Sequence, residues 1–276
     1  GACDMGGLPN VFSGYQPVSD PDANAKFSKA WGRSLPDKPG LTITDMVPAM
    51  LDGRLKALYV IGENPKLSDP DWNHLNHALK NLDLLVVQEL FLSETAQVAD
   101  IVFPAASVAE KHGTFTNSER RCMRIQKAIQ PVGNALADWQ IIARLSNAMG
   151  YEMHYDSAED IFDEMAALTK SYAGMTYARL GLDGLQWPCP NRDHPGTPFL
   201  HKDQFTRGKG KFHGIEYRDP AEMPDADYPY FLTTGRMFAH FHTGTMTRIS
   251  PALDLEQRTG YVCINPADAE KLNVTD

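Results

Sequence analysis

Four segments of the chain gather side chains suited to holding a polar ligand. The first is Val60-Ile61-Gly62-Glu63-Asn64-Pro65. A glycine directly after an apolar run lets the backbone turn tightly and approach a ligand at the strand's carboxyl end, where open α/β sheets bind their ligands. A plain structural βα turn would use the same residues. The second runs from Val86-Val87-Gln88-Glu89 through Ser93-Glu94-Thr95 to Ala99-Asp100. Its carboxylates and amide suit ribose hydroxyls or the edge of a guanine, while Ser93 and Glu94 equally suit a helix cap and its dipole. The third, Glu110-Lys111-His112-Gly113-Thr114-Phe115-Thr116-Asn117-Ser118-Glu119-Arg120-Arg121, is a loop dense in donors and acceptors. With Arg124 and Lys127 it concentrates positive charge, enough to serve a pyrophosphate or to form a solvated rim. The fourth, Thr233 to Arg248, combines Gly235, the guanidinium fork of Arg236, His240, His242 and the hydroxyl of Thr243, a set that can grip phosphate.

Reaction machinery is missing from this inventory. No Ser-His-Asp order, nucleophile elbow or zinc-hydrolase helix occurs, and neither G-x-G-x-x-G nor a Walker lysine marks an ordinary dinucleotide or triphosphate site. His240 and His242 lack the carboxylate or thiol companions of a metal centre. No catalytic residue and no metal ligand is assigned.

The elements that must position these segments follow from patterning. The chain has 276 residues, 42% of them hydrophobic and 22% charged, with a formal charge of −9. That is enough apolar material for one large or two medium cores. The charge argues against nucleic acid as a partner, since a polyanionic duplex would be repelled over most of the surface. Apolar runs such as Ala57 to Ile61 fall far short of the roughly 20 residues that span a bilayer, so no membrane insertion is expected. Cys3, Cys122, Cys189 and Cys263 are scattered without C-x-x-C spacing, which fits reduced thiols in a cytoplasmic chain.

Residues 1–40 read as a ligand-facing loop and connector with one helix near Ala23 to Trp31. Residues 41–150 read as a parallel α/β domain. Its helices are expected at Ile43–Leu51, Asp71–Leu82, near Glu94 to Val98, and from Asp138 to a stop at Gly150; its strands at Leu58–Ile61, Leu84–Val87 and Ile101–Phe103. Residues 151–227 read as a helical appendage, opened by a Ser157-x-x-Asp160 capping box, and a proline-rich linker. Residues 228–276 read as the start of a further domain with strands at Tyr228–Thr234 and Tyr261–Ile264 and a helix capped by Asn265-Pro266. The glycine-rich opening and the short closing helix predict a piece cut from a longer chain.

Taken in order, these segments resemble the catalytic subunit of molybdopterin-dependent formate dehydrogenases, in the superfamily that binds two molybdopterin guanine dinucleotides. The resemblance is carried by Gly1-Ala2-Cys3-Asp4-Met5-Gly6 and Gly14-Tyr15-Gln16, Ile61 to Pro65, Val87-Gln88-Glu89, Ala99 to Pro104, Glu110 to Arg121, Ala137 to Ile141, Met153-His154-Tyr155, Gln186-Trp187-Pro188-Cys189 and Thr234 to Thr247. It implies an α/β dinucleotide-binding domain followed by the start of a carboxyl-terminal double-psi β-barrel.

The resemblance also implies a molybdenum or tungsten ion on the paired pterin cofactor, two-electron interconversion of formate and carbon dioxide, and electron-transfer subunits as partners. A [4Fe-4S] cluster and the metal's own protein ligand are expected upstream of Gly1. By this analogy Gly62, Glu63 and Asn64 approach one guanosine diphosphate half. Gln88 and Glu89 meet ribose or guanine, and Thr95 and Asp100 shape the same pocket. Arg236, His240 and Thr243 clamp phosphates or pterin edges. A sibling oxidoreductase of the nitrate reductase kind and a non-catalytic cofactor-binding or assembly module are the competing readings.

Overall fold

The computed structural model describes residues 1–205 and 207–275. They form two compact units, one of residues 1–63 and 71–212, the other of residues 64–70 and those from 213 onward.

The larger unit opens with a two-residue antiparallel ribbon, β1 (Val11–Phe12) and β2 (Gln16–Pro17). Helix α1 (Pro21–Trp31) follows. Asp20 caps it by accepting from the backbone N–H groups of Asp22 and Ala23, and Pro21 takes a first-turn position where its missing N–H costs nothing. Helix α2 (Ile43–Leu51) starts on a Thr42–Asp45 capping box.

The parallel sheet then forms in sequence order: β3 (Ala57–Ile61), β4 (Leu84–Glu89) and β5 (Ile101–Pro104). Between β3 and β4 lie the one-turn helix α3 (Pro65–Ser68), which belongs to the smaller unit, and α4 (Trp72–Leu79), capped by Asp71. Val47 and Met50 of α2, Leu75, Ala78 and Leu79 of α4, and Val60, Leu85 and Val87 of the sheet share one core cluster. At about 1.5–3 kcal/mol for each large side chain removed from water, this cluster dominates the sheet's stability. Because the strands are parallel, it also brings Ile61, Glu89 and Pro104 to the same edge. The segment expected as a short helix near Glu94 to Val98 is a single 3-10 turn, Ala96–Val98.

The third segment is not the loop its polar composition predicts. It folds as an antiparallel hairpin, β6 (Gly113–Thr116) and β7 (Arg121–Ile125), turning at 117–120. Helices α5 (Asp138–Ala148) and α6 (Ala158–Leu168) come next, with Gly150 left-handed at φ 82° just past α5 and the Ser157–Asp160 capping box present on α6. After α7 (Tyr177–Leu180), β8 (Leu185–Gln186) pairs with the free edge of β7. A second core gathers Phe162 and Ala166 of α6 with Cys122, Tyr172, Met175 and Cys189.

Arg120 donates to the carbonyls of Trp187, Thr197 and Pro198 and lies over the Trp187 ring. Arg121 donates to Glu119 and to the Asp183 carbonyl. These two guanidinium groups pin residues 183–198 to the hairpin, which leaves them unavailable to a pyrophosphate.

The smaller unit holds helices α8 (Pro251–Glu256) and α9 (Pro266–Leu272), and Asn265 caps α9 through the Ala267 N–H. The strands expected at Tyr228–Thr234 and Tyr261–Ile264 do not form among the described residues. A strand exists only where a neighbour offers ladder groups, and here neither segment is paired. Asp276, the end of the expected last domain, lies outside the described residues. No helix among them is long and apolar enough to cross a membrane.

Candidate functional site

At the carboxyl edge of the parallel sheet, β3 ends in a turn that only glycine makes without strain. Gly62 has φ 64°, and a Cβ added there would meet nothing within 4 Å. Its own N–H closes the ladder on the Gln88 carbonyl at 2.9 Å, so it is the backbone bend and the open space that Gly62 contributes. Glu63, next in the chain, is exposed, while Asn64 is buried and its carbonyl accepts from Leu67 and Ser68 as α3 begins.

The β4 end is divided between exposed and buried groups. Glu89 is half-buried, and its Oε1 accepts from the Leu90 N–H at 2.7 Å. Thr95 and Gln88 are fully buried. Asp100 is exposed and accepts from the Leu85 N–H at 2.7 Å, which places it where β4 and β5 begin, at the opposite edge of the sheet from Gly62 and Glu89 and not in the pocket the sequence assigned it to.

Gln88 is the centre of a polar relay. Its Oε1 accepts from the Tyr59 hydroxyl, and its Nε2 donates to Asp138 Oδ1 at 2.7 Å. The second oxygen of Asp138 accepts from Lys111 Nζ. Burial, and then the charge of Asp138, push the Tyr59 phenol above its ordinary range. Composition marks Lys111 only as one charge among many and Asp138 only as a helix start. The structure joins both to the strand end.

Lys111 and Asp138 also line a cavity of about 610 Å³ whose other walls include Met5, Gly6, Phe12 and Trp139. A partly exposed ion pair beside aromatic walls is a setting in which a charged ligand group would be felt.

Glu110, next to Lys111 in the chain, lines a neighbouring cavity with Lys111 and His112. Its carboxylate accepts from the Ser107 N–H at 2.7 Å and the Val132 N–H at 2.8 Å. The Ser107 bonds lead in holding its pKa below the ordinary value of 4.5. A folded-state pKa below the unfolded one gives stability that is complete above about 4.5 and is lost as pH falls through the folded value. Acid titration followed by circular dichroism should therefore show an unfolding limb that is shallower in Glu110→Gln; an unchanged limb would contradict this role.

In the smaller unit, Arg236 and Thr243 are exposed, and the Arg236 guanidinium meets His242 Nδ1 at 3.0 Å. His240 is buried. Its Nε2 faces the Gln257 carbonyl at 2.6 Å, which makes that nitrogen the donor and leaves Nδ1 to accept from the Thr247 hydroxyl at 3.1 Å.

The sequence matches two families. Residues 1–148 match Molybdopterin oxidoreductase and residues 230–276 match the Molydopterin dinucleotide binding domain. The F420-dependent formate dehydrogenase 1 subunit alpha of Methanococcus maripaludis is 51% identical over 278 residues, covering 99% of this chain and 41% of that protein. Formate dehydrogenase H of Escherichia coli is 37% identical over 283 residues, covering 100% of this chain and 40% of that protein. The chain thus spans about two fifths of the length of these relatives. Acetylene hydratase from Pelobacter acetylenicus superposes with a TM-score of 0.61 at 17% identity, over 94% of this chain and 38% of that one, which establishes a shared fold. A strand-end glycine turn on a parallel sheet, within a sequence that matches over more than half its length, assigns the chain to the molybdopterin oxidoreductase family.

Proposed function

We propose that the chain is the cofactor-holding part of a formate dehydrogenase catalytic subunit. The observation that carries this reading is the sequence identity to formate dehydrogenase alpha subunits across nearly the entire chain. The bound group would be a pair of molybdopterin guanine dinucleotides carrying molybdenum or tungsten.

The residues present fit such a group. A guanine edge and ribose hydroxyls need carboxylate acceptors, which Glu63 and Glu89 offer at the strand ends, and a bulky ligand needs room, which the open face of Gly62 leaves. When bound, the group supplies two-electron redox chemistry for the interconversion of formate and carbon dioxide.

This chain's own residues bind and orient. Gly62, Glu63 and Asn64 flank one guanosine, with Glu89 on its ribose or base. Gln88 and Thr95 shape the pocket from behind, and Gln88 sets the orientation of Asp138 and Lys111, whereas Asp100 stands at the opposite edge of the sheet and ties the strands there. Arg236, His240 and Thr243 form a second clamp for phosphates or pterin edges, with His240 acting through its fixed ring. We take residues 228–276 as the start of the double-psi barrel on the strength of the dinucleotide-binding match, not of strands. Electrons would leave through a [4Fe-4S] cluster and electron-transfer subunits outside this chain.

The test is dye reduction by the purified full-length subunit. Formate-dependent turnover is expected, with no nitrate reduction, while residues 1–276 alone are expected to be inactive. Nitrate reduction without formate oxidation would favour a sibling enzyme. Pterin binding without turnover on either substrate would favour a non-catalytic module.

A further inference from the structure

Asp4 sits on the short turn Cys3–Met5 and is only 5% exposed. Three neutral donors hold its carboxylate. Oδ1 accepts from the Tyr15 hydroxyl at 2.8 Å. Oδ2 accepts from the Tyr172 hydroxyl at 3.1 Å and from the Trp187 indole N–H at 3.0 Å. The bond to Asp4, ahead of burial, pushes the Tyr15 phenol up to about 12. Tyr172 also meets the Thr116 hydroxyl on β6 at 3.1 Å, so the cluster ties the opening turn to the hairpin and to residues far along the chain.

Packing alone would not call for a charge here, since burying a carboxylate is costly unless it is fully bonded. What this cluster fixes is the position of the next two residues. Met5 and Gly6 form a wall of the cavity that Lys111 and Asp138 also line. Gly6 is left-handed at φ 85°, and an added Cβ would stand 2.9 Å from the Phe12 carbonyl carbon, so the wall has one arrangement.

We propose that Asp4 is a positioning residue for the reaction: through the Met5–Gly6 turn it sets the cavity wall against which the bound reactants are aligned. This rests on the formate dehydrogenase reading. Asp4 touches no reactant; it acts by holding geometry, and a misplacement of about 1 Å can cost on the order of a hundredfold in rate.

The test uses the full-length, cofactor-loaded subunit, with kcat normalised to bound metal. Asp4→Asn is expected to lower kcat about tenfold, with KM for formate and pterin content held within about twofold. Tyr15→Phe removes a single donor from a half-exposed phenol and is expected to lower kcat about threefold. A kcat per metal equal to that of the unsubstituted subunit in either variant would overturn the proposal. If Asp4→Asn does not fold, Tyr15→Phe decides alone. An unsubstituted subunit with no formate oxidation would instead remove the underlying reading, and this inference with it.

Discussion

Gln88→Leu should destabilise the larger unit by about 2–3 kcal/mol, read as a fall in the urea midpoint at unchanged slope. The substitution keeps side-chain volume near that of the amide, so it opens no large cavity. What it removes is both partners of a relay: the Tyr59 hydroxyl loses its acceptor and Asp138 loses the Nε2 donor at 2.7 Å. A half-buried donor left without a partner carries its full desolvation penalty, about 1–3 kcal/mol. The share from Asp138 is smaller, because its carboxylate is 37% exposed and water can replace the lost bond. Tyr59→Phe added to Gln88→Leu should recover part of the loss, since the orphaned hydroxyl goes with it. A double variant no more stable than Gln88→Leu would show that the relay is not what holds this site.

Gly62→Ala should have a modest effect on folding and a large one on cofactor retention. The folding cost is conformational: at φ 64° an L side chain loses about 1–2 kcal/mol. No steric cost adds to it, because nothing lies within 4 Å of the new methyl group. That same open space is where a ligand approaching the strand end would arrive. A methyl group there would hold a guanosine away from the carboxylates of Glu63 and Glu89, and losing even one good charge-assisted contact, about 1.5–3 kcal/mol, weakens binding at least tenfold.

The parallel sheet is legible in the sequence because its strands coincide with short apolar runs, Leu58 to Ile61, Leu84 to Val87 and Ile101 to Phe103, even though Ile101 and Val102 of β5 are exposed in the structure, and Gly62 announces the turn. The hairpin β6–β7 is hidden by its composition. Thr114-Phe115-Thr116 alternates, but the surrounding Glu, Lys, His, Asn and Arg read as loop because the ladder partners lie across a polar turn.

The relay and the Asp4 cluster are illegible for a different reason. Gln88 and Asp138 are 50 residues apart, and Asp4 and Trp187 are 183 apart, so no local spacing can announce either contact. Arg120 and Arg121 carry the charge that suits a phosphate, yet the carbonyls of residues 183–198 take them up, a competition that only tertiary structure decides. At 228–234 and 261–264 the sequence signals strands, and burial and pairing, which make strands, are absent among the described residues.

The central claim is that the carboxyl ends of the parallel strands grip a guanylated pterin. It is tested most directly by a matched pair of glycines in the full-length subunit. Gly53, in the turn between α2 and β3, shares the left-handed conformation (φ 76°) and the open surroundings of Gly62. Gly53→Ala and Gly62→Ala should therefore pay the same conformational penalty, and the measurement is the guanosine nucleotide released by acid from each purified variant. The account predicts nucleotide content near that of the unsubstituted subunit for Gly53→Ala and a loss of about tenfold for Gly62→Ala. Equal content in the two variants would contradict it.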